Sequence, residues 1–218
     1  MKETYFTPEN IDQKSRQMLE YLEKYTTSRN IKFIPEKSAL LVIDMQRFFL
    51  DKNSHACIPS AYAIIPKIKH LINAYNKANL PVFFTRHVNT ENDAKLMGRF
   101  WNDFIKDENP LSEIISDLSF PNMHVINKSQ YDSFYNTDLE ILLREKKITQ
   151  VVITGVMTNL CCETTARSAF VRGFTPFFTL DGTAAYNEEF HRASILNISY
   201  GFGIITLIDE IFRSLSEH

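Results

Sequence analysis

Three residues whose chemistries complement one another each follow an apolar run in this sequence. Asp44 closes ALLVID, Lys128 begins KSQYDSF after MHVIN, and Cys161 lies in GVMTNLCCETTAR after QVVIT. A thiol is a weak nucleophile until it loses its proton. A nearby carboxylate can take that proton and an ammonium group favours the thiolate, so the three types together suit attack on a carbonyl carbon. Each alone has a plainer reading: a strand-end cap for Asp44, a solvated amine for Lys128, and packing for a cysteine in a helix. Cys161 and Cys162 are adjacent, and if 160–172 is helical their side chains point about 100° apart and cannot share one pocket. Thr158 and Asn159 are N-cap types, which would put Cys161 in a first helical turn, where free N–H groups and the helix dipole favour an anion. Cys161 is therefore read as the nucleophile and Cys162 as its packing neighbour.

The elements that must position these groups alternate along the chain. The apolar run at 39–44 suits a strand buried on both faces and 81–86 a second buried strand. The stretch 123–127 reads as a weaker strand, and 150–155, 174–180 and 203–208 as further strands, with Pro176 breaking the fifth near its start. Helical spacing marks 61–78, 137–146, 160–172 and 188–200. Pro66 falls in the first turns of 61–78, where proline is better tolerated. Six such alternations predict a parallel sheet covered on both faces, a three-layer α/β/α sandwich. Ligands in these folds lie beyond the carboxyl ends of the strands, the edge on which Asp44, Lys128 and Cys161 all fall. Ahead of the first strand, 9–27 places Met18, Leu19, Leu22 and Tyr25 on one helical stripe. The chain thus divides into an N-terminal helical arm, 1–37, packed on the domain or on a partner subunit, and an α/β domain, 38–218.

Composition narrows the function classes. The chain has 218 residues, 44% of them apolar and 23% charged, with a net charge of −2. That balance gives no electrostatic footprint for nucleic acid or an anionic membrane, and no apolar run approaches the ~20 residues of a bilayer span. Three cysteines make no disulfide framework, which points to a reduced, cytoplasmic protein.

With these residues in view, the chain resembles the isochorismatase-like cysteine hydrolases over roughly 38–210. The superfamily includes isochorismatase, nicotinamidase, N-carbamoylsarcosine amidase and ureidoacrylate amidohydrolase. The resemblance rests on ALLVIDMQ, FFTRHVN, NKSQYDSF and GVMTNLCCETTARSAFVRGF. It implies a six-stranded, Rossmann-like sheet and an Asp44–Lys128–Cys161 triad. It also implies a cis peptide between Val156 and Met157, with the backbone N–H groups of Met157 and Cys161 facing a developing oxyanion. Family members commonly form homodimers or homotetramers, and the arm could serve that assembly. Isochorismatases usually carry glycine at the position of Cys161, so the retained thiol favours acyl transfer on a small amide, carbamoyl or ureido substrate. Nicotinamidases carry an Asp-x-His cluster and a further histidine that bind a metal. The nearest residues here, Asp51, His55 and His87, have a different spacing, and neither a metal nor another cofactor is expected.

Around the triad, Gln46 could reach a ligand or cap the backbone, and Arg86 could bind a substrate carboxylate or pair with an acidic neighbour. His87, Trp101, Phe100 and Tyr131 are candidates for the pocket edge and wall. His191 lies among polar neighbours on a helix and reads as structural. The competing functions are a vinyl-ether hydrolase that needs only the acid of Asp44, and a binding or assembly protein with a retired site.

Overall fold

An Ser-Ala-Leu-Leu-Val-Ile run has no polar face to offer solvent, and β1 (Ser38–Ile43) is buried along its whole length. The computed structural model, which describes residues 1–25, 31–101 and 103–216, sets β1 inside a six-stranded sheet. The order is β3-β2-β1-β4-β5-β6, with β2 (Val82–His87), β3 (His124–Lys128), β4 (Gln150–Val156), β5 (Thr175–Ala184) and β6 (Ile204–Thr206). Every neighbouring pair is parallel.

The helices are α1 (Ile11–Leu22), α2 (Arg47–Leu50), α3 (Ala61–Lys77), α4 (Met97–Phe100), α5 (Leu139–Glu145), α6 (Glu163–Val171), α7 (Glu188–Gly201) and α8 (Ile208–Ser216). Right-handed crossovers put α3 and α6 on opposite faces because the strand order runs outward in both directions from the β1/β4 pair. Accordingly α3 packs with α8, and α6 with α7. The result is the three-layer sandwich. Its strand order reverses between β1 and β4, the position at which such folds open a crevice beyond the strand ends. None of the helices among the described residues is long and apolar enough to cross a membrane.

Three local expectations need correction. β5 is not broken at Pro176, which pairs with Val151. The ladder to β6 begins only at Phe177, so the missing proline N–H falls where β5 has one neighbour. β6 ends at Thr206, and residues 208–216 form α8, an amphipathic segment whose apolar Ile208, Ile211 and Leu215 are buried. The stripe on α1 buries Met18 and Leu22, but Tyr25 is exposed. The helix ends at Leu22, so helical periodicity no longer governs Tyr25; Thr26 and Thr27 lie outside the described residues. Tyr5, Phe6 and Ile11 join Met18 and Leu22 in the same hydrophobic core as the strands.

One glycine is dictated by the sheet. Gly155 sits opposite Ile43 in the β1/β4 ladder with φ +109°, and a Cβ there would lie 2.0 Å from the Ile43 carbonyl oxygen. Backbone cannot move aside at the centre of a sheet, and L side chains rarely adopt that φ. Gly155→Ala is expected to lower stability by about 3 kcal/mol or more in urea denaturation. A loss below about 1 kcal/mol would mean that the β1/β4 junction yields and that the glycine is not required.

Candidate active site

The backbone leaves the extended conformation directly after β1. Asp44 takes φ +49°, a left-handed conformation that Asp tolerates better than most residues. Its position is fixed from β2. The Thr85 hydroxyl accepts the Asp44 N–H at 3.1 Å and donates to Asp44 Oδ1 at 2.7 Å. The other oxygen, Oδ2, accepts no hydrogen bond of regular geometry among the described residues. It faces the Lys128 ammonium at 2.7 Å in an ion pair whose side chains are both fully buried.

Lys128 ends β3, two strands away from β1, a gap of about 10 Å at normal strand spacing. A long side chain is needed to cross the end of β2. His87, the β2 residue in register with Lys128, lies along that route. Lys128 Nζ donates to the Gln130 carbonyl at 2.9 Å and lies 3.2 Å from His87 Nδ1 and 3.4 Å from Cys161 Sγ. Acid, amine and thiol thus meet, as the residue types alone suggested.

The thiol arrives from β4. The Val156–Met157 peptide is cis, and Thr158–Cys162 then forms a π-helical turn before α6 begins at Glu163. This differs from the expected helix over 160–172 capped by Thr158 or Asn159. Neither residue caps: Thr158 is inside the turn, its hydroxyl engaged with His191 Nδ1 at 2.9 Å. Leu160 and Cys162 both donate to the Met157 carbonyl. Such single π turns frequently mark functional sites. Cys161 lines the cleft, whereas Cys162 is fully buried in the core.

Electrostatics set the resting protonation states. Burial alone would raise the Asp44 pKa, but the charge of Lys128, with His87 and the hydrogen bonds from Lys128 and Thr85, leaves it below the usual carboxylate value. Burial likewise works against the Lys128 ammonium, and Asp44 and Cys161 more than restore it. The Cys161 thiol moves the other way. Burial drives its pKa well above an ordinary thiol, the Asp44 charge adds to that, and Lys128 offsets only part. The site rests as carboxylate, ammonium and neutral thiol, so the amine does not by itself produce a thiolate. Burying an ion pair costs more desolvation than a stable fold needs to spend.

The surrounding residues divide sharply. Gln46 is a backbone cap and not a ligand-facing group. It accepts the His87 N–H at 2.8 Å and donates to the carbonyls of His87 at 2.9 Å and Ser112 at 2.8 Å. Arg86 does not line the cleft either. Successive strand residues point to opposite faces, and Arg86 turns to Asp107 and Glu113 and to the Ser112 carbonyl. His87 does line it, with Nε2 2.9 Å from Asn89 Oδ1, and Asn89 is held by Ser129 and Asp93. Trp101 and Tyr131 form part of the wall, joined by a 2.7 Å hydrogen bond from Trp101 Nε1 to the Tyr131 hydroxyl. Phe100 is instead 76% exposed. His191 is fully buried, with the rings of Tyr5 and Phe6 against it and Nδ1 hydrogen-bonded to the Thr158 hydroxyl.

The cleft has an empty volume of ≈ 740 Å³, including solvent at its mouth, and its lining is mainly apolar and aromatic: Phe48, Phe49, Met97, Phe104, Leu160 and Tyr186 among others. Thr85 and Asn89 were not singled out from the sequence. The signal was present, since 85, 87 and 89 alternate in FFTRHVN and so share one side of an extended chain. The aromatic wall carried no such signal, because Phe48 and Phe49 come from the short α2 and Tyr186 from the segment after β5, far apart in the chain.

The residues weighed for a metal do not fit one. Asp51 borders a different depression, beside Arg47 and Tyr62. His55 contacts Asp103 at 3.4 Å, and both ring nitrogens of His87 are engaged. Ligand atoms of Asp44, His87 and Cys161 do converge within 4.8 Å of one another, but the Lys128 ammonium already contacts all three.

Fold and cluster together define an α/β protein with acid, amine and thiol at the carboxyl edge of its sheet. The isochorismatase domain model matches residues 38–210. Nicotinamidase 3 of Arabidopsis thaliana is 39% identical over 184 residues, covering 82% of this chain and 88% of that protein. A ureidoacrylate amidohydrolase of Serratia proteamaculans is 27% identical, covering 85% and 86%. The crystal structure of a cysteine hydrolase from Pseudomonas syringae pv. phaseolicola superposes with a TM-score of 0.82 at 26% identity, covering 88% of this chain and 97% of that one. The chain belongs to the isochorismatase family and is a hydrolase.

His87 makes the acid stability of the site measurable. Burial, then the Lys128 charge, lowers its pKa from 6.5 to about 4. Between those values the unfolded chain binds the proton and the native protein does not, so stability falls as pH drops through that window. From pH 7 to pH 5 the His87 contribution is a loss of about 2 kcal/mol. His87→Gln is expected to remove that share of the pH dependence in urea denaturation at the two pH values. An unchanged difference between pH 7 and pH 5 would contradict it.

Proposed function

We propose that the protein hydrolyses the C–N bond of a small, uncharged amide, with Cys161 as nucleophile, Asp44 as proton acceptor and donor, and Lys128 holding both. The observation that carries this reading is the buried ammonium 2.7 Å from Asp44 and 3.4 Å from Cys161, beside an apolar cleft. Asp44 Oδ2 takes the thiol proton as sulfur attacks the carbonyl carbon, so charge separates only when a substrate is present. The backbone N–H groups of Met157 and Cys161 receive the oxyanion, donors whose loss typically costs ~3–4 kcal/mol. Protonated Asp44 then hands its proton to the departing amine. Water, deprotonated by Asp44, attacks the thioester and releases the acid, and the thiol regains its proton.

The vinyl-ether reading needs Asp44 to begin as an acid. Lys128 and Thr85 favour its ionised form, which supports the thiol route instead. The nicotinamidase and amidohydrolase relatives are consistent with an amide. The lining supports an uncharged one: among the described residues that border the cleft there is no Lys or Arg, and its carboxylate, Asp103, faces His55 at 3.4 Å. Arg86, the nearest candidate for a carboxylate clamp, is spent on Asp107 and Glu113.

Two sets of assays test this. Ammonia release should fall by about 10⁴-fold or more in Cys161→Ala, while Cys162→Ala should stay within about three-fold and lose roughly 1 kcal/mol of stability. A dead Cys162→Ala enzyme with an active Cys161→Ala one would reverse the assignment. For substrate charge, kcat/KM for nicotinamide should exceed that for ureidoacrylate by about ten-fold or more, the scale on which an unpaired carboxylate is rejected by an apolar site. The opposite order would rule out the uncharged class.

A further inference from the structure

The N-terminal residues lie ahead of the family match, yet they touch the wall of the cleft. The Lys2 ammonium donates to the carbonyl of His55 and sits 5.0 Å from the ring centroid of Tyr186. The Glu3 N–H donates to the Tyr186 carbonyl at 2.7 Å, and Glu3 Oε2 accepts the Glu188 N–H at 3.1 Å. The Ala185 N–H donates to the Tyr5 hydroxyl at 2.9 Å. His55 and Tyr186 both border the cleft, so one short stretch ties together two loops of its wall. Deeper in, the rings of Tyr5 and Phe6 rest on His191 at 5.4 and 5.3 Å, which holds Thr158 in the turn that carries Cys161.

The stretch is clipped by a residue that has given up another task. Ser60 stands at the N-cap of α3, where serine ordinarily accepts a helix N–H, but it makes no side-chain cap bond. Its hydroxyl oxygen accepts the N–H groups of Tyr5 at 2.9 Å and Phe6 at 3.1 Å and donates to the Glu3 carbonyl at 3.2 Å. A fully buried hydroxyl that leaves its own helix uncapped to hold this segment places it as a structural part of the cleft.

We infer that residues 2–6 form a strap that sets the width of the cleft on its His55–Tyr186 side and steadies the Cys161 turn. The inference rests on the reading of this cleft as the substrate site. The strap acts through the wall and touches no reacting atom, so Lys2, Glu3 and Tyr5 are positioning residues.

The test measures access to Cys161 without requiring turnover. Cys161 alkylation by iodoacetamide and by the bulkier N-benzyliodoacetamide is followed by peptide mass spectrometry in the full chain. Ser60→Ala and Tyr5→Phe should each raise the benzyl-to-parent reagent rate ratio about five-fold. Tyr75→Phe is the matched control. It removes another buried tyrosine hydroxyl, bonded to Ser38 at the far end of β1, and should lower the melting temperature similarly while leaving the ratio within two-fold. Ratios unchanged in Ser60→Ala and Tyr5→Phe, an equal rise in Tyr75→Phe, or no modification of Cys161 in any of the proteins would overturn the strap. If the ratios shift as expected but no amide is hydrolysed, the amidohydrolase reading fails and the strap stands.

Discussion

The buried ion pair between Asp44 and Lys128 is the constraint on which the rest of the site depends. Two fully buried charges 2.7 Å apart forfeit the hydration of both ions, and an apolar pair of the same volume would often serve stability equally well. Breaking such a pair by removing one partner typically costs 3–5 kcal/mol. The surroundings are arranged to keep both. Thr85 holds one carboxylate oxygen, while Gln130 and the neutral His87 ring take the remaining directions of the ammonium. What the pair supplies is a carboxylate kept ionised without water, next to a thiol that burial keeps protonated.

Topology explains why these residues meet. The strand order reverses between β1 and β4, so the ends of those strands frame the crevice, and Asp44 and Cys161 enter from its two sides. β3 lies two strands out, and only a long cationic side chain from it can reach the pair. The close β1/β4 approach that brings the two ends together is the one that excludes a side chain at Gly155. Gln46 then fastens the chain after β1 to the end of β2 through both polar groups of the His87 backbone. That contact sets the histidine ring against Lys128.

Sequence pattern made the fold and the three central residues legible for a physical reason. Strands buried on both faces must be continuous apolar runs, and the polar residue that ends such a run stands at the carboxyl edge. Asp44 could be found that way. Lys128 ends β3, whose His124, Val125 and Asn127 are exposed, and Cys161 lies beyond the end of β4, so those two were legible from residue type and order along the chain. Gln46 and Arg86 could not be assigned by the same logic, because their partners, Ser112, Asp107 and Glu113, lie in the irregular stretch after β2, where no periodicity records direction. The turn at Thr158–Cys162 was misjudged because cap preference treats the helix alone, whereas Thr158 is claimed by His191 from α7. The N-terminal stretch read as an arm, and nothing local in Lys2–Phe6 shows that Ser60 and Tyr186 lie against it.

The central claim is that Cys161, and not water acting directly, attacks the amide carbonyl. Rapid acid quenching of the enzyme during turnover of a small uncharged amide such as nicotinamide, followed by peptide mass spectrometry, tests it most directly. The account predicts the acyl mass on the peptide that carries Cys161, assigned by fragmentation to that sulfur, and its absence in Cys161→Ala. An acyl group on any other residue, or full turnover by the Cys161→Ala protein, would contradict it.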